Sequence, residues 1–232
     1  IIRRAAGART TVRAADLWGR TNMPPLHNDQ IDWSPPTPIR PRTIITCAFL
    51  AYPRFEGIPK PHPYRGFYVY RDPRDLLVSW YNSIRYTHEA TGSIPTNRAT
   101  IENLSYSEGL IHGAEILTKS NFAQALSWLA CTDPNMKLCR YEDLFGDNQS
   151  KAFSSLFEHL QLDISSKQQA SLLEEYSFKN MTKGRQPGEV DASSHLRRGK
   201  PGGWREELPD DVLERFYEIT GTLTEDLGYC RD

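Results

Sequence analysis

"YVYRDPRDLLVSWYNS", residues 68–83, decides how this chain is read. The run Gly66-Phe67-Tyr68-Val69-Tyr70 is continuously apolar, as a buried strand is. It ends at Arg71-Asp72, Pro73 follows, and a helical pattern then continues to about Tyr86. Asp72 suits the N-cap and Pro73 the first turn. A strand therefore ends by placing a guanidinium beside a helix start, where unsatisfied N–H groups and the positive end of the dipole both favour an anion. Arginine offers a phosphate a two-pronged, permanently charged grip. Ser79 lies two turns further on, and its hydroxyl can serve the same anion if Arg71 reaches along the helix. The competing use of Arg71 is an Arg–Asp network with Asp72 and Asp75, and the residues alone leave that choice open.

Around this junction the chain is ordinary. Its 232 residues suit one well-cored α/β domain. The net charge of -1 gives no overall field that favours nucleic acid, so an anion site has to be local. No run approaches the roughly 18 apolar residues of a membrane helix. The four cysteines, Cys47, Cys131, Cys139 and Cys230, show no CxxC spacing and no paired histidines. Free thiols, no metal site and a reducing, cytoplasmic compartment are expected. Cys131 and Cys139 flank a Pro-containing turn, and they too are expected to stay free. The chain opens Ile-Ile-Arg-Arg without a methionine, and is expected to begin after the true N-terminus.

Strand and helix signals alternate outward from the junction. Residues 1–20 read as a basic helix and its exit, and 21–42, with six prolines, as loop. Residues 43–49 read as a buried strand, and 50–65 as Pro-rich connection. Residues 90–104 read as polar loop and 105–131 as one long helix. "MKLCRYEDL" (136–144) reads as a further strand leading into a turn. Helices are expected near 149–161 and 165–176, a mobile charged loop over 182–203, and one closing helix from Leu208 to Leu227. This alternation predicts a central parallel sheet flanked by helices in a three-layer α/β sandwich. Ligands in such folds bind beyond the carboxyl ends of the strands, where Cys47, Arg71 and Tyr141 all fall.

A second basic cluster lies in "LRRGKPGGWREELPDD", 196–211. Arg197, Arg198 and Lys200 stand beside Gly199, Gly202 and Gly203, and glycines let backbone N–H groups approach an anion closely. Alone, it is equally a solvated basic loop. Two such sites in a nearly neutral domain favour a ligand with several phosphates or sulfates.

Together these stretches resemble the sulfotransferases that use 3′-phosphoadenosine-5′-phosphosulfate (PAPS) and release adenosine 3′,5′-bisphosphate (PAP). "YRDPRDLLVSWYNS" is similar to the family's 3′-phosphate strand–helix segment, whose arginine and serine are here Arg71 and Ser79. "RRGKPGGW" resembles the loop that closes over the same phosphate, which implies that role for Arg197, Arg198 and Gly199, with Gly202 and Trp204 as scaffold. "RYEDL" resembles the Tyr-Glu-Asp strand end that faces Tyr141 to adenine. "YSFKNM" implies that Phe178, with Ser177 beside it, packs on the base. The resemblance spans residues 68 to 204 and implies a P-loop NTPase-like sulfotransferase fold. It implies in-line sulfuryl transfer to an acceptor hydroxyl or amine, with no metal required.

Two features depart from the family pattern. The 5′-phosphosulfate loop, of the type Pro-Lys-Ser-Gly-Thr-Thr-Trp, is absent; it is expected upstream, so that 1–232 is a single sulfotransferase domain without its first strand and that loop. The position of the family's catalytic histidine reads Ile45-Thr46-Cys47. The proton acceptor then falls to Cys47 or to His88, which with Glu89 follows the phosphate helix; His62 and His112 are further candidates. The segments 49–65, 84–104 and 182–195 are expected to frame a pocket for a small-molecule, lipid or glycan acceptor. A catalytically silent PAP-binding scaffold and a P-loop nucleotide kinase are the alternatives.

Overall fold

The computed structural model describes residues 50–60 and 62–231. The expected basic helix of 1–20, the loop of 21–42 and the strand of 43–49, with Phe49 and Cys47, lie outside the described residues. Two strands, β1 (Gly66–Tyr70) and β2 (Met136–Arg140), pair in parallel with Gly66 opposite Met136 and Tyr70 opposite Arg140. After β1 come α2 (Pro73–Asn82), a π-helical turn (Ser83–Thr87), α3 (Ile94–Glu102), α4 (Tyr106–Thr118) and α5 (Asn121–Leu129). After β2 come α6 (Tyr141–Phe145), α7 (Gln149–His159), α8 (Ser166–Glu175), α9 (Phe178–Met181), α10 (Trp204–Glu207), α11 (Asp210–Thr220) and α12 (Leu223–Asp226). A short α1 (Tyr52–Glu56) precedes β1.

Side chains alternate across a strand, so the register assigns the faces. Tyr68 stacks on Trp128 of α5, with ring centroids 4.7 Å apart. Cys139, on the opposite face, joins Phe153, Leu156 and Phe157 of α7 in a buried cluster. Helices thus cover both faces, as the alternation predicts. The parallel pair cannot be joined by a tight turn, and α2 to α5 form its crossover. At the start of the strands, His159 Nε2 sits 2.9 Å from the Gly66 carbonyl and 3.1 Å from that of Asn135. Both neighbours are acceptors, so Nε2 carries the proton and donates to both.

The larger core lies between α2, α4, α5 and α11. Leu77, Val78, Leu110, Leu117, Phe122, Val212 and Phe216 are buried there. Each such side chain contributes roughly 1.5–3 kcal/mol by leaving water. The α2–α4 contact is close because Gly113 offers no Cβ; one there would meet the Trp80 ring at 2.8 Å.

Three boundaries differ from expectation. The run 105–131 is two helices. Ser120 leaves helical geometry (φ -128°, ψ -97°), and its hydroxyl donates to the Ile116 carbonyl, which ends α4. Such side-chain competition for the backbone is typical of serine. The closing helix breaks at Gly221, whose φ of +61° suits glycine. The stretch 90–104 contains α3, begun by Pro95 in the first turn and held by Ile101, which is fully buried. One apolar residue per two turns is too sparse a pattern to read as a helix face. Among the described residues the cysteines Cys131, Cys139 and Cys230 are free thiols, no helix is long and apolar enough to cross a membrane, and no group of side chains is arranged to hold a metal.

Candidate functional site

The β1–α2 junction forms as the sequence predicts. Asp72 caps α2: its carboxylate accepts the Arg74 N–H at 2.9 Å, and Pro73 occupies the first turn. The same carboxylate binds the Arg74 guanidinium at 3.0 and 2.8 Å. Arg74 is only 1% exposed. It also donates to the Tyr217 hydroxyl and the Arg231 carbonyl, and lies 3.7 Å over the Trp204 ring. Arg74 is therefore a partnered structural charge, and Arg71 is the arginine of this junction that remains as the candidate anion ligand.

Arg71 lies where β1 ends. Its Nη2 is 3.4 Å from Asp75, and its guanidinium stacks 4.5 Å over the Tyr141 ring at the end of β2. Its Nε is buried and has no hydrogen-bond partner. Ser79 is half-buried, two turns along α2. Burial raises the pKa of the Tyr141 phenol, and the Arg71 charge partly opposes this. The phenol therefore stays protonated at neutral pH and can donate.

The 196–204 loop meets this junction through a residue the sequence reading passed over as a competitor. Asp75, 3% exposed, accepts the N–H of Gly202 at 2.6 Å and of Trp204 at 3.0 Å. One carboxylate thus holds Arg71 and the glycine loop together. Its only sequence signal was an acidic residue in a helix first turn, four residues after an arginine.

Within the loop, Arg197 makes a two-pronged pair with Glu207 at 2.6 and 2.8 Å. Arg198 donates to Glu207 at 3.1 Å and to Glu206 at 2.6 Å, while its Nε is buried without a partner. Glu206 and Glu207 were not singled out in the sequence; they lie in α10 directly behind the Gly-Gly-Trp turn. Gly199 has φ +65°, and a Cβ there would fall within the Phe178 ring. Phe178 therefore packs against the loop backbone at Gly199. Ser177 caps α9 by accepting the Asn180 N–H.

The candidate proton acceptors separate. Cys47 lies outside the described residues. His88 follows the π-helical turn, and its ring is 5.7 Å from that of His195, in the 182–203 loop. Burial, His195 and Arg98 together lower its pKa from the ordinary histidine value. His195 went unremarked in the sequence. His62 packs on Tyr64, and His112 lies within α4. The aromatic rings of the segments 49–65 and 84–104, expected to frame the acceptor pocket, divide as well. Tyr52 and Phe55 pack on Trp128, and Phe55 meets Tyr64 edge-on, whereas Tyr86 is exposed beside Arg85.

Comparison with known proteins bears on these residues. No curated protein matches the chain. Among solved structures, mouse sulfotransferase SULT7A1 complexed with PAP is similar at 20% identity and TM-score 0.50, over 70% of this chain and 61% of that one. A retinol dehydratase in complex with androsterone and inactive cofactor PAP aligns at 20% identity and TM-score 0.45, over 71% of this chain and 47% of that one. The chain thus spans about three fifths or less of the length of these proteins. The first likeness agrees with the expected α/β fold. A family model described as "Sulfotransferase domain" matches residues 64–228, well over half of the sequence and inclusive of both basic motifs. By that match the chain belongs to the sulfotransferase domain family.

Proposed function

We propose that the chain is a PAPS-dependent sulfotransferase domain that grips the 3′-phosphate with Arg71, Ser79, Arg197, Arg198 and the Gly199 backbone. The observation that supports this most is the convergence through Asp75, which brings Arg71 and the glycine loop to one place. The residues suit the group. Arg71 and Arg198 each keep a buried Nε–H without a partner, and buried donors are seldom left so. Phosphate oxygens are the acceptors that would satisfy such donors. The Tyr141 and Phe178 rings, with Ser177 beside the latter, are assigned to the adenine.

When bound, PAPS supplies the sulfuryl group to be transferred. The chain's own contribution is positioning and charge compensation. Arg71 and Arg198 fix the nucleotide at its 3′-phosphate. His88 is the assigned proton acceptor for an acceptor hydroxyl or amine: its lowered pKa leaves it neutral at pH 7. Acceptor class follows from the segments around His88 and His195, and a small-molecule alcohol, a lipid or a glycan each fits that reading.

Calorimetric titration with PAP, with AMP as control, tests the proposal on wild type and Arg71→Ala. Binding that requires the 3′-phosphate and weakens by roughly 2–5 kcal/mol on loss of Arg71 is expected. Equal binding of PAP and AMP would sink the reading. Tight PAP binding without turnover of PAPS across a broad acceptor panel would instead favour the silent scaffold.

A further inference from the structure

The loop that carries Arg197 and Arg198 has no regular secondary structure, yet it is not loose. One side chain gathers it. The Arg185 guanidinium donates to the Leu196 carbonyl at 2.7 Å, the Arg197 carbonyl at 3.0 Å and the Ser194 hydroxyl at 3.1 Å. The Asp191 carboxylate lies 3.9 Å away. The backbone closes in the same sense: Gly188 N–H donates to the Arg198 carbonyl at 2.7 Å, and Asp191 N–H to that of Arg197 at 3.0 Å. Three consecutive carbonyls, 196 to 198, are therefore held from across the loop. The guanidinium also lies 5.1 Å over the Phe178 ring, which packs on Gly199. Arg185 is aimed inward by an abrupt turn. Lys183 and Gly184 both have positive φ, and the Gly184 N–H returns to the Lys179 carbonyl at 2.7 Å.

We infer that Arg185 is a positioning residue: it sets the backbone of residues 194–198 so that Arg197 and Arg198 are presented together, and it holds Phe178 against the same loop. The inference rests on the 3′-phosphate reading above. It goes beyond that reading because Arg185 belongs to neither basic motif and lies among the loop carbonyls. The geometry requires a planar group with several fixed donors. An ammonium keeps the charge but not the fork, so lysine cannot span three acceptors in one plane.

The test uses the full chain with Arg185→Lys and Arg185→Ala, titrated with PAP and with AMP, alongside hydrogen exchange. In both variants PAP affinity falls by about ten-fold, as an unordered loop must be fixed on binding, while AMP, which shares the base but lacks the 3′-phosphate, loses clearly less. Exchange at the Gly188 and Asp191 amides quickens, and exchange in α4 and β1 does not. A merely structural role would not selectively erase the preference for PAP. Wild type that fails to prefer PAP overturns the nucleotide reading and this inference with it. Wild type that prefers PAP while Arg185→Lys keeps the same preference overturns the inference alone. So does quickened exchange throughout the core, which would make the loss one of folding.

Discussion

Asp75 accepts the N–H of Gly202 at 2.6 Å, and so binds the first turn of α2 to a glycine 127 residues further along the chain. This bond and its neighbour from Trp204 make two distant motifs one site. Asp75→Asn keeps one acceptor oxygen and removes the charge beside Arg71. Stability is expected to fall by about 1–3 kcal/mol, because a buried N–H loses its partner. PAP affinity is expected to fall as well. Simple charge removal near a phosphate predicts the reverse, so calorimetry on this variant separates positioning from bulk electrostatics.

The buried pair behind the site carries a larger stability effect. Asp72→Ala removes the α2 cap and leaves the Arg74 guanidinium, 1% exposed, without its carboxylate. Urea unfolding should show a loss of about 3–5 kcal/mol, the usual result of breaking a buried ion pair from one side. A loss under 1 kcal/mol would mean that Tyr217 and the Arg231 carbonyl suffice to hold Arg74.

Gly199→Ala places a methyl at φ +65° and into the Phe178 ring. Both effects oppose the loop's conformation, at a cost of about 1–3 kcal/mol from the backbone alone. Weaker PAP binding and lower stability are expected, with partial recovery of stability in the double variant Gly199→Ala/Phe178→Ala. No recovery would show that backbone geometry, and not the ring contact, limits the site.

His88 gives a pH dependence of defined sign. Its folded pKa is lowered below the ordinary 6.5, first by burial, then by His195 and Arg98. The unfolded chain therefore takes up its proton first on acidification, and the linked stability is present above pH 6.5 and lost as pH falls towards the folded pKa. In the proton-acceptor role proposed for it His88 has to be neutral, so kcat/KM should rise along an acid limb centred below 6.5. His88→Ala should lower the rate by about a hundred-fold and abolish that limb. An unchanged limb would move the role to another residue, and Cys47→Ser is the next variant to assay.

The parts of the fold legible in the sequence are those that rest on local chemistry. The β1–α2 junction, the β2 strand and helices α7 and α8 lie within a few residues of expectation, because capping residues and apolar periodicity mark them. Helices α4 and α5 were read as one because Ser120 interrupts the backbone without interrupting the apolar pattern. Arg71 and the 196–204 loop were legible as basic clusters with glycine. Asp75, Glu206, Glu207 and Arg185 were not. Their partners are backbone groups or charges set by tertiary approach, and no spacing in the sequence announces a carboxylate that will accept two N–H groups from a remote turn.

His159 has a consequence for how the sheet is fastened. Its Nε2–H serves the carbonyls of Gly66, the first residue of β1, and of Asn135, the residue just before β2. One side chain from α7 thus staples the amino ends of both strands, whereas their carboxyl ends are tied down by Asp72, Asp75 and Glu142. The two strands are therefore anchored at opposite ends by different parts of the chain, so that small adjustments of the rim that carries Arg71 need not disturb the histidine-pinned base, which keeps the register.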